Sequence, residues 1–316
     1  MTEIQPAWAA IVVNYESGTL LLDAVRSLRA ETSAGPVDVV VVDNGSRDGS
    51  AAAVAREFPD VRVVTAPGNV GYARAANLGI ASTRCAIVAV FNSDMTIEPG
   101  TAKAMLARFD DDPQLGACGP RIRNLDGTDY PSARRMPSTP LAIGHGVFGL
   151  WWPSNPFTAR YRELDADPGR PRMVDWVSGA AVWLRRAALD AVGGWDERYF
   201  MYCEDLDLCW RVRGAGWTIA YEPDGVVVHV QGAATSRRPY RMLFEHHRSA
   251  WRFARRRFTG LKAVILPFVG VYFGLRVPDV DDQPDADDED DGGDRVPPLV
   301  GFRALRRADG GAALGT

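Results

Sequence analysis

The chain has 316 residues, of which 46% are hydrophobic and 24% are charged, and its formal net charge is −4. This length and composition allow a large core and favour one catalytic domain with an appendage over two equal domains. The four cysteines form no Cys-x-x-Cys pair, so buried thiols are favoured over a disulfide or a zinc site. Residues 1–7 have no basic start and no long apolar run, so we expect no signal peptide, and no feature indicates a nucleic-acid partner.

The first 120 residues alternate between short apolar runs and segments with hydrophobic residues at helical spacing. Each apolar run is nearly continuous, as in strands that are buried on both faces of a parallel sheet. The predicted strands are residues 9–15, 37–42, 61–65, 87–94 and 115–118, and the predicted helices are residues 19–30, 49–58 with Asp48 as N-cap, 72–82 and a segment from Pro99. This βαβα order predicts an α/β fold with a Rossmann-like, mainly parallel sheet and helices on both faces.

The fourth predicted strand ends on the carboxylate of Asp94. Ligands of open α/β sheets bind beyond the carboxyl ends of the strands, so this position suits a divalent cation and a phosphorylated ligand. Mg²⁺ and Mn²⁺ prefer oxygen ligands, and Mg²⁺ takes one or two carboxylates together with phosphate oxygens. His229, at the end of a late strand, is a second candidate ligand, although a structural histidine is equally favoured there.

Two polar loops lie between the earlier elements. Asp43 opens an Asp-Asn-Gly-Ser segment, where it would accept a hydrogen bond from a base or ribose. All four residue types are turn formers, so a simple turn is favoured at that position. Asn69 and Gly71 lie at a helix start, where free N–H groups bind phosphate, and an ordinary loop remains the alternative.

The regular alternation stops between residues 121 and 175, where long loops and short strands are expected over one side of the site. After it we predict a strand at 176–184, helices at 186–192 and 204–215, and strands at 217–221 and 226–230. Glu204 and Asp205 begin the second of these helices. An acid there either removes a proton from a hydroxyl or interacts favourably with the positive helix end, and both roles are compatible in an adjacent pair.

Charge is strongly segregated in the last 80 residues. Residues 237–262 contain nine Arg or Lys and one acid, whereas residues 279–294 contain ten acids and no base. Residues 240–258 are predicted to form a basic amphipathic helix, and the apolar stretch 263–275 is shorter than the roughly 20 residues that span a bilayer. This pattern favours a helix lying on an anionic membrane surface over one packed on the domain. The acidic tail from Pro278 is predicted to be disordered.

Taken in order, the motifs resemble those of glycosyltransferase family 2, inverting enzymes with the GT-A fold. The residues that carry the resemblance are Val13-Asn14-Tyr15, Asp43 through Ser50, Asn69 through Tyr72, Asn92-Ser93-Asp94, Gly179-Ala180, Gly194 through Glu197 and Glu204 through Arg211. We therefore expect a GT-A domain at residues 1–235, with a nucleotide-binding half at 1–120 and an acceptor-binding half at 121–235. A membrane-associating segment at 236–277 and the acidic tail at 278–316 would follow.

By this resemblance, Asp205 is the catalytic base, Glu204 is its orienting neighbour, and Asp94 ligates Mg²⁺ or Mn²⁺ with His229 as a second ligand. The residues implied to bind the nucleotide-sugar donor are Asn14, Tyr15, Asp43, Asn69, Gly71, Asn77, Asn92, Ser93 and Asp94, and those implied to bind the acceptor are Gly179, Trp195 and Asp196. The family's Asp-x-Asp motif is here Asn92-Ser93-Asp94. Because one carboxylate is lost, the metal is expected to be held largely through the donor's diphosphate.

Within the family, the chain is most similar to bacterial rhamnosyltransferases. The implied reaction moves L-rhamnose, with inversion, from dTDP-β-L-rhamnose to a hydroxyl of polyprenyl-diphospho-N-acetylglucosamine, in cell-wall assembly at the cytoplasmic face of the plasma membrane. A UDP-galactofuranose or UDP-hexose donor and a non-catalytic membrane-surface binding module remain alternatives. A sugar-phosphate nucleotidyltransferase is disfavoured because no basic residue follows the first strand until Arg26. The oligomeric state, including a homodimer, is left open.

Overall fold

A computed structural model of the chain describes residues 6–138, 152, 155–163, 166–230 and 239–258. The strands are β1 (Trp8–Asn14), β2 (Val37–Asp43), β3 (Arg62–Thr65), β4 (Ile87–Asn92), β5 (Met95–Ile97), β6 (Leu115–Asn124), β7 (Asp129–Tyr130), β8 (Ala133–Arg134), β9 (Arg172–Met173), β10 (Trp176–Val177), β11 (Ala181–Arg185) and β12 (Thr218–His229). The helices are α1 (Leu20–Ala30), α2 (Ser50–Glu57), α3 (Tyr72–Ala81), α4 (Thr101–Asp111), α5 (Pro156–Tyr161), α6 (Arg186–Val192), α7 (Glu204–Gly214) and α8 (Pro239–Arg257).

Ten of the described strands form one mixed sheet with the order β3-β2-β1-β4-β11-β6-β12-β5, in which β7 pairs with β6 and β9 pairs with β12; β8 and β10 form a separate two-stranded sheet. The half built from β1 to β4 is entirely parallel, and β1 and β2 are buried along most of their length. Burial on both faces explains the continuous apolar runs, and the predicted α/β class with a mainly parallel sheet is confirmed. In the other half, β11 runs antiparallel between β4 and β6, while β12 is parallel to β6.

The predicted strand at 176–184 is wrong, because the chain forms two short strands in different sheets. β10 pairs with β8, whereas β11 joins the main sheet between β4 and β6. The break lies at Ser178–Ala180, where the N–H of Ser178 donates to Ser132 O (2.8 Å) and the N–H of Gly179 donates to the Asp205 carboxylate (2.9 Å). Because these N–H groups bond outside the main sheet, the series of strand hydrogen bonds is interrupted, and the apolar run forms the two short strands β10 and β11.

The two strands predicted at 217–221 and 226–230 are one strand, β12, with an irregular register between Glu222 and Val226. The Glu222 carboxylate accepts a hydrogen bond from Asp224 N–H (3.0 Å), which closes a local turn within the strand. A Pro-Asp-Gly sequence that signals a turn is therefore absorbed as a bulge. The N-cap position of α2 is Gly49 rather than Asp48, although the Asp48 carboxylate still accepts the N–H of Ser50 (3.0 Å).

All four cysteines are free thiols, as the spacing indicated. Cys118 and Cys209 are buried, and burial raises the pKa of the Cys209 thiol to about 12. The described part of the chain contains no group of three or more His, Cys, Asp or Glu residues that would hold a metal by itself. The interpretation of buried thiols is confirmed for Cys118 and Cys209, whereas Cys85 and Cys203 are free thiols that are only partly buried.

The predicted basic amphipathic helix forms as α8, but one side of it packs on the domain. Phe253 is buried and meets the ring of Trp210 edge-on at 6.2 Å. Arg256 Nη1 donates to the carboxylates of Asp207 (3.0 Å) and Asp196 (2.8 Å), which fastens the helix to α7 and to the loop before it. Packing on the domain, the alternative that the sequence disfavoured, is therefore observed for this side of the helix.

The other side of α8 leaves two large apolar side chains in solvent. Leu243 and Phe244 are 40% and 42% exposed, and the arginines Arg241 and Arg248 on the same helix are exposed as well. No helix within the described ranges has the length and apolarity needed to cross a membrane. The predicted apolar stretch at 263–275 and the acidic tail at 278–316 lie outside the described residues.

Candidate active site

A cavity of about 480 Å³ lies at the carboxyl ends of the parallel strands. Asp94 follows β4 and Asp205 begins α7, and both side chains line this cavity although 111 positions separate them. The other predicted site residues that line it are Tyr15, Asn69, Gly71, Asn92, Ser93, Gly179, Glu204 and His229. The sheet therefore brings the strand-end carboxylate and the helix-start acids to one concave surface, as expected for an α/β fold.

Asp94 and His229 form a pair on one wall of the cavity. His229 Nε2 lies 3.2 Å from Asp94 Oδ1, and both side chains are nearly buried. The pairing of β12 with β5 sets this distance, since His229 is opposite Met95 and Val230 N–H donates to Asp94 O (2.9 Å). His229 Nδ1 is buried and has no hydrogen-bond partner among the described residues. An oxygen and an imidazole nitrogen at one point of a polar cavity form a donor set that fits a divalent cation.

The backbone before the acid pair is held in an uncommon conformation. Tyr202 and Cys203 both have positive φ values, +66° and +59°, and Cys203 is the N-cap of α7. A non-glycine residue in this region costs about 1–3 kcal/mol and persists only where surrounding structure imposes it. Here the sharp turn of the backbone at Tyr202 and Cys203 starts α7 so that its first two residues, Glu204 and Asp205, line the cavity.

The two acids differ in their hydrogen bonds. Asp205 accepts the N–H of Gly179 (2.9 Å) and that of Leu206 (2.7 Å), one on each carboxylate oxygen. Glu204 is 7% exposed, and its Oε2 has no hydrogen-bond partner within the described part of the chain. One acid is therefore oriented by the backbone, whereas the other presents an unsatisfied oxygen at the cavity wall.

Burial raises the pKa values of both acids, but the groups around each acid differ. Desolvation raises the pKa of Glu204 well above its usual range, and the adjacent Asp205 charge raises it further. Desolvation also raises the pKa of Asp205, but the Gly179 amide and the positive charge of Arg134 oppose that shift. Burial therefore opposes ionisation more strongly at Glu204 than at Asp205. Two acids whose surroundings shift their pKa values differently can take two roles at one helix start.

The loop at the start of α3 is locked onto the acid-bearing segment. Tyr72 N–H donates to Phe200 O (2.7 Å), and its hydroxyl donates to Gly179 O (2.6 Å). Gly71 has a φ of +87°, and a Cβ there would lie 2.7 Å from Phe200 O, so only glycine fits. Asn69 Oδ1 accepts the N–H of Gly71 (3.1 Å), which makes Asn69 a shaping residue as well as a lining residue.

Five predicted binding residues do not line the cavity. Two of them belong to the strand-end turn that the sequence favoured. Asn14 is fully buried, and its amide donates to the hydroxyls of Ser46 (3.0 Å) and Ser50 (2.9 Å). Asp43 Oδ1 accepts the N–H of Ser46 (3.1 Å), as in an Asx turn. Both side chains thus have structural partners.

The other three are Asn77, Trp195 and Asp196. Asn77 donates to Trp195 O (2.9 Å) and accepts the N–H of Trp195 (3.0 Å), so it holds the Gly-Trp-Asp turn against α3. The Trp195 ring is 2% exposed and meets the Tyr72 ring edge-on. Asp196 pairs with Arg198 and Arg256, and the Arg198 guanidinium lowers the pKa of Asp196 to about 2. These three side chains therefore contact residues next to the cavity, such as Tyr72, and do not line the cavity themselves.

Several lining residues were missed by sequence reasoning. Arg134, Tyr130 and Tyr161 come from the irregular middle segment, Trp176 comes from β10, and Met242 and His246 come from α8. Ser17, after β1, meets Ser93 through a short hydroxyl–hydroxyl hydrogen bond. No spacing or motif signals these positions; Arg134 and Trp176 are brought to the site by the pairing of β8 with β10, and Met242 and His246 by the docking of α8.

The mixed, mostly parallel sheet carries a carboxylate–imidazole pair at its strand ends and an acid pair at a helix start on the same cavity, an arrangement that agrees with glycosyltransferases of the GT-A class. Residues 9–172 match the family described as Glycosyl transferase family 2. A curated relative, the N-acetylglucosaminyl-diphospho-decaprenol L-rhamnosyltransferase of Mycobacterium tuberculosis, is 39% identical over 271 residues, which cover 82% of this chain and 87% of the relative. The chain belongs to glycosyltransferase family 2 and is a glycosyltransferase.

Solved structures agree on the fold. A mannosyltransferase from Pyrobaculum calidifontis in complex with GDP-Man and Mn²⁺ gives a TM-score of 0.52 at 18% identity, covering 86% of this chain and 71% of that one. GalNAc-T7 with UDP, GalNAc and Mn²⁺ also gives a TM-score of 0.52, at 14% identity, covering 71% of this chain and 43% of that one. At this level of identity the likeness establishes the architecture, and the predicted GT-A fold is confirmed.

Proposed function

We propose that the enzyme moves L-rhamnose from dTDP-β-L-rhamnose to a hydroxyl of polyprenyl-diphospho-N-acetylglucosamine, with inversion at the anomeric carbon. The observation that carries the chemistry is the presence of Asp94 and Asp205 on one cavity of about 480 Å³. The choice of substrates is supported by the mycobacterial rhamnosyltransferase, which aligns over 87% of its own length. Because the alignment covers most of both chains, it includes the segments that build the acceptor side of the cavity.

In the proposed reaction, Asp205 removes the proton from the acceptor hydroxyl. The hydroxyl oxygen attacks the anomeric carbon of the donor sugar while the bond to the nucleoside diphosphate breaks. The proton ends on Asp205, and the electron pair of the broken bond leaves with the diphosphate. General-base help of this kind contributes about 100- to 10,000-fold to a rate. Glu204, whose Oε2 has no hydrogen-bond partner in the described part of the chain, is proposed to hydrogen-bond to the acceptor hydroxyl and keep it in line.

A divalent cation, Mg²⁺ or Mn²⁺, fits the pair formed by Asp94 and His229. One carboxylate oxygen and one imidazole nitrogen would hold it, and the remaining ligands would come from the donor's diphosphate and from water. When bound, the cation neutralises charge on the leaving diphosphate. The unpartnered Nδ1 of His229 leaves the tautomer of this ring free to present Nε2.

The exposed side of α8 is proposed to lie on an anionic membrane surface at the inner face of the plasma membrane. Leu243 and Phe244 are exposed beside Arg241 and Arg248, the combination that an interfacial helix uses. The same helix contributes Met242 and His246 to the cavity wall, so membrane contact and acceptor access share one element. This arrangement suits an acceptor whose lipid stays in the bilayer while its sugar enters the site.

The direct test of the function is a transfer assay with farnesyl-diphospho-N-acetylglucosamine and a set of nucleotide sugars. We expect dTDP-β-L-rhamnose to give an α-L-rhamnosyl product and UDP-hexoses to give none. Product formation is measured by mass spectrometry, and the anomeric configuration by NMR. Transfer from UDP-galactofuranose or a UDP-hexose instead would replace the proposed donor while keeping the family chemistry.

The acid pair predicts opposite results for two isosteric variants. Asp205→Asn should lower kcat about 100- to 10,000-fold because the base is lost, whereas Glu204→Gln should keep most of the activity because an amide can still hydrogen-bond to the acceptor hydroxyl. Since the pKa of Asp205 is raised, wild-type kcat/KM should fall with decreasing pH at a value above the roughly 3.9 of a free aspartate. An equal loss in Glu204→Gln would assign the base to Glu204.

Removal of the metal should abolish transfer. EDTA is expected to stop product formation, and added Mn²⁺ or Mg²⁺ should restore it, because the diphosphate leaves poorly without a compensating charge. Asp94→Ala should weaken the metal-dependent binding of dTDP measured by calorimetry, while Asp60→Ala, an exposed acid outside the cavity lining, should not. Full activity in EDTA would remove the metal from the proposal.

The membrane contact is tested by point variants, since deleting α8 would also remove part of the cavity wall. Leu243→Ser with Phe244→Ser should reduce co-sedimentation with phosphatidylglycerol vesicles, because less apolar surface is buried at the interface. Leu125→Ser, which changes another exposed leucine, is the matched control. Unchanged vesicle binding by the double variant would contradict the role given to this side of the helix.

A further inference from the structure

Arg134 is the one arginine or lysine among the described residues that line the cavity. It ends β8, where it is paired with Trp176 of β10. Its guanidinium lies 4.9 Å from the centre of the Trp176 ring and 5.5 Å from that of Tyr130. Nε donates to Pro131 O (2.8 Å) and Nη2 donates to the Tyr130 hydroxyl (2.9 Å), so the side chain is fixed in place rather than free to reorient.

No carboxylate in the described ranges lies within ion-pair distance of this guanidinium, in contrast to those of Arg121, Arg135 and Arg211. A cation that is largely removed from water without a counter-ion is costly, because neutral partners compensate only part of its lost hydration. Tyr130, Tyr161 and Asp205 raise the pKa of Arg134 against the lowering effect of its burial, so the group stays charged. The site therefore holds a fixed positive charge that has no carboxylate within ion-pair distance among the described residues, although the charge of Asp205 acts on it from farther away.

The rest of the cavity is acidic. Asp94, Glu204 and Asp205 are the carboxyl groups that line it, and both proposed substrates add a diphosphate. A phosphate group entering such a cavity requires a nearby cation, and a planar guanidinium recognises phosphate oxygens through paired hydrogen bonds. The Asp94–His229 pair is suited to hold a metal against one diphosphate, which leaves the charge of a second diphosphate to be met elsewhere.

We infer that Arg134, framed by Tyr130 and Trp176, is the residue that binds a substrate diphosphate in this cavity. The inference rests on the proposed function for the identity of the two substrates. The acceptor is the favoured source, because Arg134 lines the same cavity as Asp205 and its charge acts on that carboxylate. Asp205 is the base proposed to contact the acceptor hydroxyl, and the acceptor carries its diphosphate on the same sugar. Tyr130 also meets His229 edge-on at 6.2 Å, so the donor diphosphate is the second source.

The test compares two acceptors and one nucleotide in wild type, Arg134→Met, Arg134→Lys and the control Arg135→Met. Arg135 is the exposed neighbour that pairs with Glu163 and does not line the cavity. The acceptors are farnesyl-diphospho-N-acetylglucosamine and the neutral farnesyl β-glycoside of N-acetylglucosamine, and the nucleotide is dTDP. The measured quantities are kcat/KM for each acceptor and Kd for dTDP with metal present, after melting temperatures have established that each variant is folded.

Arg134→Met should lower kcat/KM for the diphospho acceptor about 10- to 100-fold more than for the neutral glycoside, the range of a charged hydrogen bond. Arg134→Lys, which keeps the charge, should recover part of that preference, and Arg135→Met should leave it unchanged. If Arg134→Met instead raises only the Kd for dTDP, the diphosphate is that of the donor. Equal losses for both acceptors with an unchanged Kd for dTDP would overturn the inference.

Two further outcomes are distinct. Should Arg134→Met fail to fold, Arg134→Lys is used for the test instead. The compact ammonium of lysine keeps the charge but lacks the planar guanidinium, so it should still change the ratio of kcat/KM between the diphospho and the neutral acceptor. An unshifted ratio and an unshifted Kd for dTDP in that variant would count against the inference. Wild-type enzyme that transfers rhamnose to neither acceptor would refute the proposed function, while the Kd for dTDP would still report on Arg134.

Discussion

The site depends on the three-residue backbone segment Ser178–Ala180, where the chain leaves one sheet and enters another. Gly179 donates its N–H to Asp205 and accepts the Tyr72 hydroxyl on its carbonyl, while Ala180 O accepts the N–H of Asn92. A Cβ at Gly179 would lie 3.0 Å from that of Asp205, a contact so tight that one of the two residues would have to shift slightly, so glycine favours the close approach. One short segment thus fixes the distances between the strand-end carboxylate, the loop at the start of α3 and the acid pair.

Electrostatics divides the cavity into regions with different tasks. The buried acid pair combines two different environments: desolvation raises the pKa of Glu204 well above its usual range, while backbone amides and Arg134 restrain the rise for Asp205. The pair of Asp94 and His229 offers a mixed oxygen and nitrogen donor set where the strands end at the same cavity. Arg134 is the one arginine or lysine among the described residues that line this acidic cavity, and its positive charge is the one proposed to bind a substrate diphosphate.

The helix α8 joins two properties that the sequence suggested were alternatives. Its inner side is fixed by Arg256 to the buried Asp207 and by the Ser249 hydroxyl to Met201 O (2.8 Å), and it supplies Met242 and His246 to the cavity. Its outer side exposes apolar and basic side chains. A helix that is both cavity wall and membrane contact would couple the position of the enzyme at the bilayer to the shape of its acceptor site.

The sequence by itself determined the α/β class, the family, the first four parallel strands and the acids at 94, 204 and 205, because apolar periodicity and strand-end carboxylates are local features of the chain. Tertiary structure alone decided which polar residues face the cavity. Asn77, Trp195 and Asp196 stand in family motifs yet are used to hold the turn behind the wall. Arg134 and His246 stand in no motif yet line the cavity, because strand pairing and helix docking between distant segments, which local patterns do not encode, bring them there.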